Sequence, residues 1–342
     1  MEKKNTFKAL TVNEFGGKIE VKEHPLRELQ KDEYLVKVMG TTILPADLFF
    51  VAGQYGTHIP DLPLVPGFEG SGIIEAVGEG VDKSVIGKRC SILADQFAKE
   101  FRGTWAQYHI TNSQLITIFN DDVPYDRIIC SNVNPLTAVG FLDTLKKMGK
   151  KSVAHNGASS AFGRMFLRLC ISQGIEVINI VRKESSIKEM KEFGGKHFVN
   201  TSQEGWENEL KKKCLELDVT VLFECVGGKT TGKSLSALPS GSTLFHFGNL
   251  ELAGISEVNT GDLIFQKKKI EGWWLLTWIT SIKPEEALYW KKLIIDDFEK
   301  NDGKIFGTAF NKAFALEDYE KALGVYKEQS TKVVFKPWGI DA

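Results

Sequence analysis

The spacing of hydrophobic positions changes part-way along this chain. In the first third, apolar and polar residues alternate in short runs bounded by Gly, Pro and Asp, a period that is typical of strands. These runs cover residues 7–12, 34–38, 72–77, 90–93 and 105–111. The pattern predicts a coiled, mostly antiparallel β-domain. From about Ile129 strands alternate with helical stretches of ten or more residues, as in a doubly wound parallel sheet.

The end of the chain returns to the first kind of pattern. Residues 310–314 and 332–335 are predicted as strands, and residues 318–327 between them as a helix. This order predicts a β-domain that is interrupted by a second domain and completed by the C-terminus. We expect the first domain to comprise residues 1–128 and 284–342, and the inserted α/β domain to comprise residues 129–283.

One βαβ unit stands out between residues 151 and 195. A strand at 152–154 is joined to a helix at 164–173 by a loop, residues 155–163, built almost wholly of small side chains. Such a loop lets a diphosphate approach the backbone and the N–H groups of the helix. The three slots of the G-x-G-x-x-G fingerprint hold Ala158, Ser160 and Gly163, so an ordinary small-residue turn is the alternative. The position between strand and helix favours a nucleotide site.

The second strand of this unit, residues 177–181, ends at Arg182 and Lys183. A unit that prefers NAD usually has an acidic residue there for the ribose 2′-hydroxyl, whereas a basic strand end suits a 2′-phosphate. The sequence therefore predicts an NADP(H)-binding domain within a larger enzyme.

Composition narrows the possible classes of protein. The chain is 42% hydrophobic and 25% charged with a formal net charge of -1, which is normal for a globular protein. Because no broad cationic surface is predicted, nucleic acid is an unlikely partner, and the run Lys267, Lys268 and Lys269 is interpreted as a solvated edge. No apolar stretch reaches membrane-spanning length, and residues 1–5 lack a secretory or mitochondrial signal. We expect a cytosolic protein, with a mitochondrial one from which a presequence has been removed as the alternative.

Cysteine and histidine spacing predicts no metal site. The five cysteines have no C-x-x-C pair and are expected to be reduced core residues. His58, His109 and His246 lie at no metal-ligand spacing, so hydrogen-bonding roles are favoured for them.

Four glycine-containing segments, residues 64–72, 77–81, 87–89 and 103–108, resemble the N-terminal signature of the medium-chain dehydrogenase/reductases. The resemblance implies a GroES-like catalytic β-domain, a Rossmann domain and a homodimer. In the zinc alcohol dehydrogenases of this family the catalytic metal is held at positions that correspond to Leu44 and Phe68. Neither side chain can bind zinc, so a zinc-independent enzyme is expected.

Segments 134–138, 262–265 and 272–278 resemble the quinone reductases and the mitochondrial-type 2-enoyl thioester reductases. This resemblance implies an NADPH-dependent reductase that transfers hydride to a quinone, an enone or an enoyl thioester. It also implies that Tyr55 is the catalytic residue, because a phenol has an ordinary pKa of about 10 and donates to a developing enolate at neutral pH. An aromatic residue that only caps the cleft is the alternative for Tyr55.

The same resemblance implies a set of cofactor contacts. We expect Asn134 and Thr137 near the nicotinamide ribose or carboxamide, and Arg182 and Lys183 at the 2′-phosphate. A strand over residues 273–278 is expected both at the acceptor pocket beside Tyr55 and at the dimer edge, with core packing as the alternative for its tryptophans. The remaining predicted contacts are Gly157, Ser159, Ser160, Ala161, Phe162 and Gly163 at the diphosphate, and Phe247, Gly248, Asn249, Trp274, Leu275 and Lys332 along the cofactor wall.

A second hypothesis belongs to a different class of function. A medium-chain reductase that has lost its activity can serve as a structural subunit of a larger assembly and still bind NADP(H). The residues Ala158 and Ser160 in glycine slots leave room for this alternative. The small loop, the basic strand end and Tyr55 together argue for an enzyme.

Overall fold

The computed structural model describes residues 6–56, 59–96, 98–310, 312–329 and 332–340, so His58 lies outside the described residues. The chain divides into two compact units, Met1–Val133 with Lys292–Ala342, and Asn134–Lys291. The domain boundaries predicted after residues 128 and 283 precede these divisions by a few residues.

The elements are numbered in chain order. The strands are β1 (Thr6–Val12), β2 (Ile19–Pro25), β3 (Glu33–Thr42), β4 (Glu69–Val77), β5 (Arg89–Leu93), β6 (Tyr108–Asn112), β7 (Ile116–Ile118), β8 (Ser152–His155), β9 (Glu176–Val181), β10 (His197–Asn200), β11 (Val221–Glu224), β12 (Thr243–His246), β13 (Lys269–Gly272), β14 (Lys312–Phe314) and β15 (Val333–Phe335). The helices are α1 (Pro45–Val51), α2 (Val133–Lys147), α3 (Ala161–Ser172), α4 (Glu184–Glu192), α5 (Trp206–Glu216), α6 (Gly228–Ala237), α7 (Thr260–Ile264), α8 (Leu275–Ser281), α9 (Pro284–Lys300) and α10 (Tyr319–Gln329).

The first unit is built on a curved sheet of seven strands. Its order is β14-β15-β3-β4-β5-β7, and β6 pairs with β3. Every pairing in it is antiparallel except that of β14 with β15. The core on one side of this sheet is aromatic: Trp105 is fully buried, and its ring centroid lies 5.6 Å from those of Phe335 and Tyr319. Strands β14 and β15, near the C-terminus, belong to this sheet, and the predicted mostly antiparallel β-domain is confirmed.

The second unit is a six-stranded parallel sheet with the order β10-β9-β8-β11-β12-β13. This is the doubly wound order of a Rossmann domain, in which the strand order reverses between β8 and β11. The short central strands β8 and β11 are buried at every position, which explains why they appear in the sequence as continuous apolar runs. The predicted combination of a GroES-like β-domain and a Rossmann domain is confirmed.

The strand expected over residues 273–278 is wrong. Strand β13 ends at Gly272, and residues 275–281 form the helix α8. Trp, Leu, Ile and Thr favour strands locally, but two tryptophans of this segment pack on Gly140 of α2, where an added Cβ would lie 2.7 Å from Trp273 and 3.0 Å from Trp278. Tertiary packing therefore overrides the local preference.

The interpretation of the lysine run as a solvated edge is wrong for its middle residue. Lys268 is 3% exposed, and its ammonium group lies 2.9 Å from the carboxylate of Asp262. The ammonium group also donates to the backbone carbonyls of Leu235 and Ser236 at 3.0 Å. A buried ammonium group is tolerated here because all three of its hydrogens have acceptors.

The five cysteines are buried free thiols, as expected. Across the described ranges, none of the helices is both long enough and apolar enough to cross a membrane.

Candidate active site

The loop after β8 provides a close approach for an anion. Gly157 has a φ of +61°, and Ala158 beside it is fully buried. Ser160 occupies the N-cap of α3, where its Oγ accepts a hydrogen bond from the backbone N–H of Gly163 at 3.0 Å. An added Cβ at Gly163 would lie 2.3 Å from the carbonyl oxygen of Ala158, so only glycine fits this last fingerprint position. The loop and the first turn of α3 therefore suit a diphosphate.

The other predicted diphosphate contacts lie on the same turn. Ser159, Ala161 and Phe162 are half-buried. The ring of Phe162 meets that of Phe141 on α2 edge-on at 5.5 Å, which holds the start of α3 against the neighbouring helix.

The basic residues predicted at the 2′-phosphate follow the next strand. Arg182 and Lys183 come directly after β9 and are exposed, and neither forms an ion pair with another described residue. Lys183 is also the N-cap residue of α4, with no side-chain hydrogen bond to the helix. Both cations are therefore available to an anionic ligand at the carboxyl edge of the sheet.

A buried carboxylate joins three strand ends beside this loop. Glu224 is the last residue of β11, and its side chain is fully buried. Burial would raise the pKa of Glu224, but hydrogen bonds from His246, Asn156 and the Gly227 N–H outweigh it and hold the pKa below its ordinary value. Its donors among the described residues are the side chains of Asn156 (2.6 Å), Thr231 (3.0 Å) and His246 (2.6 Å), and the backbone N–H groups of Val226 (2.9 Å) and Gly227 (3.0 Å).

The same network fixes the turns around Glu224. The side-chain oxygen of Asn156 accepts from the backbone N–H of Cys225 at 2.8 Å, which ties the ends of β8 and β11 together. Gly227 has φ +90° and ψ −165°, a conformation essentially restricted to glycine. An added Cβ there would lie 2.5 Å from Oδ1 of Asn249. These contacts therefore fix the backbone conformation at the carboxyl ends of β8 and β11.

The predicted wall residues Phe247, Gly248 and Asn249 directly follow β12 at the same edge. All three are half-buried. The backbone N–H of Phe247 donates to the carbonyl of Glu224 at 2.9 Å, and Asn249 accepts from the N–H of Ala253 at 3.1 Å. The structure thus brings these residues together with the loop after β8, in one unit.

Helix α2 is held to this unit by the two tryptophans that were expected in a strand. The indole N–H of Trp278 donates to the carboxylate of Asp143 at 2.8 Å, and that of Trp273 donates to the hydroxyl of Thr144 at 3.2 Å. The predicted contacts Asn134 and Thr137 lie half-buried on the first turns of α2. Trp274 is half-buried just before α8, and Leu275 is buried as its first residue.

In the first unit, Tyr55 follows α1 and is half-buried. Its ring centroid lies 5.0 Å from that of Phe68 and 6.4 Å from that of Phe50, which meets it edge-on. These apolar neighbours restrict the ring. Tyr55 and the predicted cofactor residues of the Rossmann unit belong to different units of the chain.

A second buried carboxylate links the two positions that correspond to zinc ligands in the zinc alcohol dehydrogenases. Asp47 accepts from the backbone N–H groups of Leu44 at 2.7 Å and of Phe68 at 2.9 Å. Burial raises the pKa of Asp47 to about 7, although these hydrogen bonds oppose the change. The side chains of Leu44 and Phe68 are themselves buried. Among the described residues, no group of three or more His, Cys, Asp or Glu side chains is placed to hold a metal ion.

Lys332 lies in the same buried region of the first unit. Its ammonium nitrogen is buried and has no hydrogen-bond partner among the described residues. Burial raises the pKa of Glu69, which the positive charge of Lys332 and the N–H groups of Val133 and Asn132 partly oppose. A cofactor contact by Lys332 stays a prediction.

Sequence reasoning missed Glu224, Asn156 and Asp47. One signal in the sequence could have identified Glu224: it is a charged residue at the end of an apolar run, shortly before Gly227 and Gly228. Burying a carboxylate without hydrogen-bond partners is costly, so such a residue indicates buried partners.

Two family models match the chain. The model described as the alcohol dehydrogenase GroES-like domain matches residues 30–119, and that described as zinc-binding dehydrogenase matches residues 161–290. The mitochondrial enoyl-[acyl-carrier-protein] reductase of Rattus norvegicus is 28% identical over 312 residues, which cover 89% of this chain and 80% of the rat protein.

Solved structures share the whole fold. A protein from Mesorhizobium loti assigned as an NADPH:quinone reductase is 25% identical with a TM-score of 0.85, covering 98% of this chain and 100% of that one. A mycobacterial protein solved in complex with NADPH is 23% identical with a TM-score of 0.79, covering 97% and 100% of the two chains, and this likeness concerns the fold alone. Two matched domains in the expected order, related enoyl reductases and a shared fold lead to one conclusion: the chain belongs to the medium-chain dehydrogenase/reductase superfamily, in the branch of the quinone and enoyl reductases.

Proposed function

We propose that this protein is a zinc-independent, NADPH-dependent reductase that transfers hydride to a conjugated acceptor, with an enoyl thioester as the foremost class. One observation carries the proposal. A loop of small residues and a capped helix N-terminus follow β8, where the strand order of the parallel sheet reverses, and two exposed cations, Arg182 and Lys183, follow the neighbouring strand β9. A dinucleotide with a 2′-phosphate fits this arrangement.

The residues of the Rossmann unit would hold the cofactor. Residues 157–163 would bind the diphosphate, and Arg182 with Lys183 the 2′-phosphate. Asn134, Thr137, Phe247, Gly248, Asn249, Trp274 and Leu275 would contact the nicotinamide half. The bound cofactor supplies the hydride, and the protein positions and shields it.

Tyr55 would donate a hydrogen bond or a proton to the acceptor. Hydride addition to an enoyl thioester leaves an enolate, which must be stabilised and then protonated, and a phenol provides both. The packing of Tyr55 against Phe68 and Phe50 supports this role because it orients the ring.

Two features support the choice of acceptor and the absence of zinc from the mechanism. The relatives at 26–28% identity are named enoyl-[acyl-carrier-protein] reductases, which favours an enoyl thioester over a quinone or a simple enone. The buried apolar side chains of Leu44 and Phe68 stand where the zinc enzymes have ligands.

A homodimer is supported by one surface of the Rossmann unit. Strand β13 is at the edge of the sheet, and beside it Ile264 and Phe265 are 68% and 83% exposed. An edge strand next to exposed apolar side chains favours pairing with a second copy. We propose that the protein is cytosolic. The mitochondrion is the alternative, because the related enoyl reductases are named as mitochondrial proteins.

The test is a titration of the purified protein with NADPH and NADH, followed by an acceptor panel of quinones, enones and enoyl thioesters. We expect NADPH to bind more tightly, and its oxidation to be fastest with an enoyl thioester and unaffected by prior dialysis against a chelator. Binding of NADPH with no turnover on any acceptor would favour the non-catalytic structural subunit instead. Loss of turnover after chelation would contradict zinc independence.

A further inference from the structure

The imidazole of His246 has one nitrogen, Nδ1, in contact with a buried carboxylate. His246 ends β12, and its Nδ1 lies 2.6 Å from the carboxylate of Glu224 at the end of the adjacent strand β11. The Glu224 side chain is fully buried, whereas 22% of the His246 side chain is exposed. Within the described part of the chain, no residue forms a hydrogen bond with Nε2 of His246.

The surroundings of Glu224 decide which nitrogen carries the proton. The carboxylate is surrounded by N–H and O–H donors and is therefore ionised, so it accepts hydrogen bonds and donates none. Nδ1 of His246 must consequently carry a hydrogen. In a neutral imidazole with its hydrogen on Nδ1, Nε2 is an acceptor.

The position of His246 along the sheet indicates which part of a dinucleotide it would meet. The strand order reverses between β8 and β11, and the dinucleotide crosses the sheet there. Because Arg182 follows β9, a dinucleotide whose 2′-phosphate meets Arg182 would place its adenosine half over β8 and β9 and its nicotinamide half over β11 and β12. The nicotinamide half offers O–H donors on its ribose and N–H donors on its carboxamide, which match an acceptor at the end of β12.

We propose that His246 binds the nicotinamide half of the cofactor through Nε2, and that Glu224 is the positioning residue that fixes the acceptor tautomer. This inference rests on the proposed function, since it assumes the NADP(H) site. It adds a tautomer-dependent contact to the predicted cofactor wall, in which Phe247, Gly248 and Asn249 directly follow His246.

The test compares two ligands by isothermal titration. NADPH contains both halves of the dinucleotide, whereas 2′,5′-ADP contains only the phosphorylated adenosine half. His246→Phe should weaken NADPH by roughly three- to tenfold, as expected for one neutral hydrogen bond, and leave 2′,5′-ADP unchanged. The matched control is His197→Phe. His197 also lies next to a glutamate, Glu176, at 3.2 Å, but both residues are at the amino ends of their strands, on the side of the sheet opposite the proposed site. The control should change neither affinity.

A second measurement reads the tautomer directly. Nitrogen NMR of the wild-type protein at alkaline pH should show His246 protonated at Nδ1. In Glu224→Gln the amide oxygen can replace Oε1, while its NH₂ group donates to Nδ1 and moves the hydrogen to Nε2. This variant should therefore lose NADPH affinity while it retains affinity for 2′,5′-ADP.

The outcomes separate this inference from the function on which it rests. If the wild-type protein binds neither ligand, the proposed function fails. If it binds both, but His246→Phe retains full NADPH affinity or weakens both ligands equally, the inference is overturned. A wild-type His246 protonated at Nε2 would overturn it as well, whatever the folding of the Glu224 variant.

Discussion

The carboxylate of Asp47 accepts a hydrogen bond from the backbone N–H of Phe68 at 2.9 Å, at the position where related zinc enzymes present a metal-binding histidine. The turn at Phe68, which carries a metal ligand in the zinc enzymes, is fixed here by a hydrogen bond to the buried carboxyl group of Asp47. Glu69 is buried beside it, and Lys332 is the nearby positive charge. Two buried carboxyl groups with one ammonium group favour a bound proton.

Asp47 should therefore make folding stability depend on pH. Its folded-state pKa of about 7 lies above its ordinary value of 3.8, so between these values the folded protein binds a proton that the unfolded chain has lost. Stability should fall as pH rises from about 5 to 7, by as much as about 3 kcal/mol. Urea unfolding curves for wild-type protein and Asp47→Asn across this range would measure the effect.

The Asp47→Asn protein should show a shallower decline, because its side chain does not titrate. Glu33→Gln is the control: Arg27 holds the pKa of Glu33 below its ordinary value, outside this pH range. An unchanged slope in Asp47→Asn would assign the pH dependence to another group.

Cofactor choice should depend on Arg182. A charge-assisted hydrogen bond to a phosphate contributes about 1.5–3 kcal/mol, so Arg182→Ala should reduce the preference for NADPH over NADH about tenfold or more. Lys196→Ala is a suitable control, since Lys196 is an exposed cation directly before β10, at the amino end of that strand and away from the carboxyl ends that carry Arg182. Titrations of both cofactors decide the matter, and a preference that survives in Arg182→Ala would rule out the assigned 2′-phosphate site.

Tyr55→Phe should lower turnover by about 10²–10⁴ and leave NADPH affinity nearly unchanged, because only the hydroxyl is lost. The loss should be largest with an enoyl thioester, whose reduction leaves an enolate, and smaller with a quinone. Steady-state kinetics on both acceptors would measure it, with the exposed Tyr289→Phe as control. Unaltered rates on every acceptor would remove Tyr55 from the mechanism.

The loop before α3 should not tolerate a larger residue at its last glycine. Gly163→Ala places a Cβ 2.3 Å from the carbonyl oxygen of Ala158, and the backbone must move to relieve the overlap. We expect NADPH affinity to fall about tenfold, together with a lower melting temperature. Gly254→Ala meets open space and should behave as wild type. Wild-type binding by Gly163→Ala would show that the diphosphate lies elsewhere.

Much of the fold could be predicted from local pattern. Strands β8 and β9 contain short apolar runs, and the small residues that follow β8 mark the loop proposed to bind the nucleotide. The failures involve partners distant in sequence. Residues 275–281 are helical because Trp278 reaches Asp143 on α2, and Lys268 is buried because Asp262 and two carbonyls surround it.

In the candidate site, too, local features could be predicted from the sequence and contacts between distant residues could not. The basic strand end at Arg182 could be recognised from its position alone, whereas the role of Glu224 depends on Asn156 and His246, which lie 68 residues before it and 22 after it. Such a network forms only when three strand ends meet. Sequence spacing carries no signal for it.

The central claim is that this chain transfers hydride from NADPH to a conjugated acceptor. The most direct measurement uses NADPH deuterated at the transferable position of nicotinamide C4, an enoyl thioester, and mass spectrometry of the product. The account predicts that the saturated thioester gains one deuterium in each turnover, and that Tyr55→Phe slows this gain without abolishing NADPH binding. A protein that binds the deuterated cofactor, transfers no deuterium to an enoyl thioester or an enone, and does not oxidise the cofactor in the presence of a quinone would contradict the account.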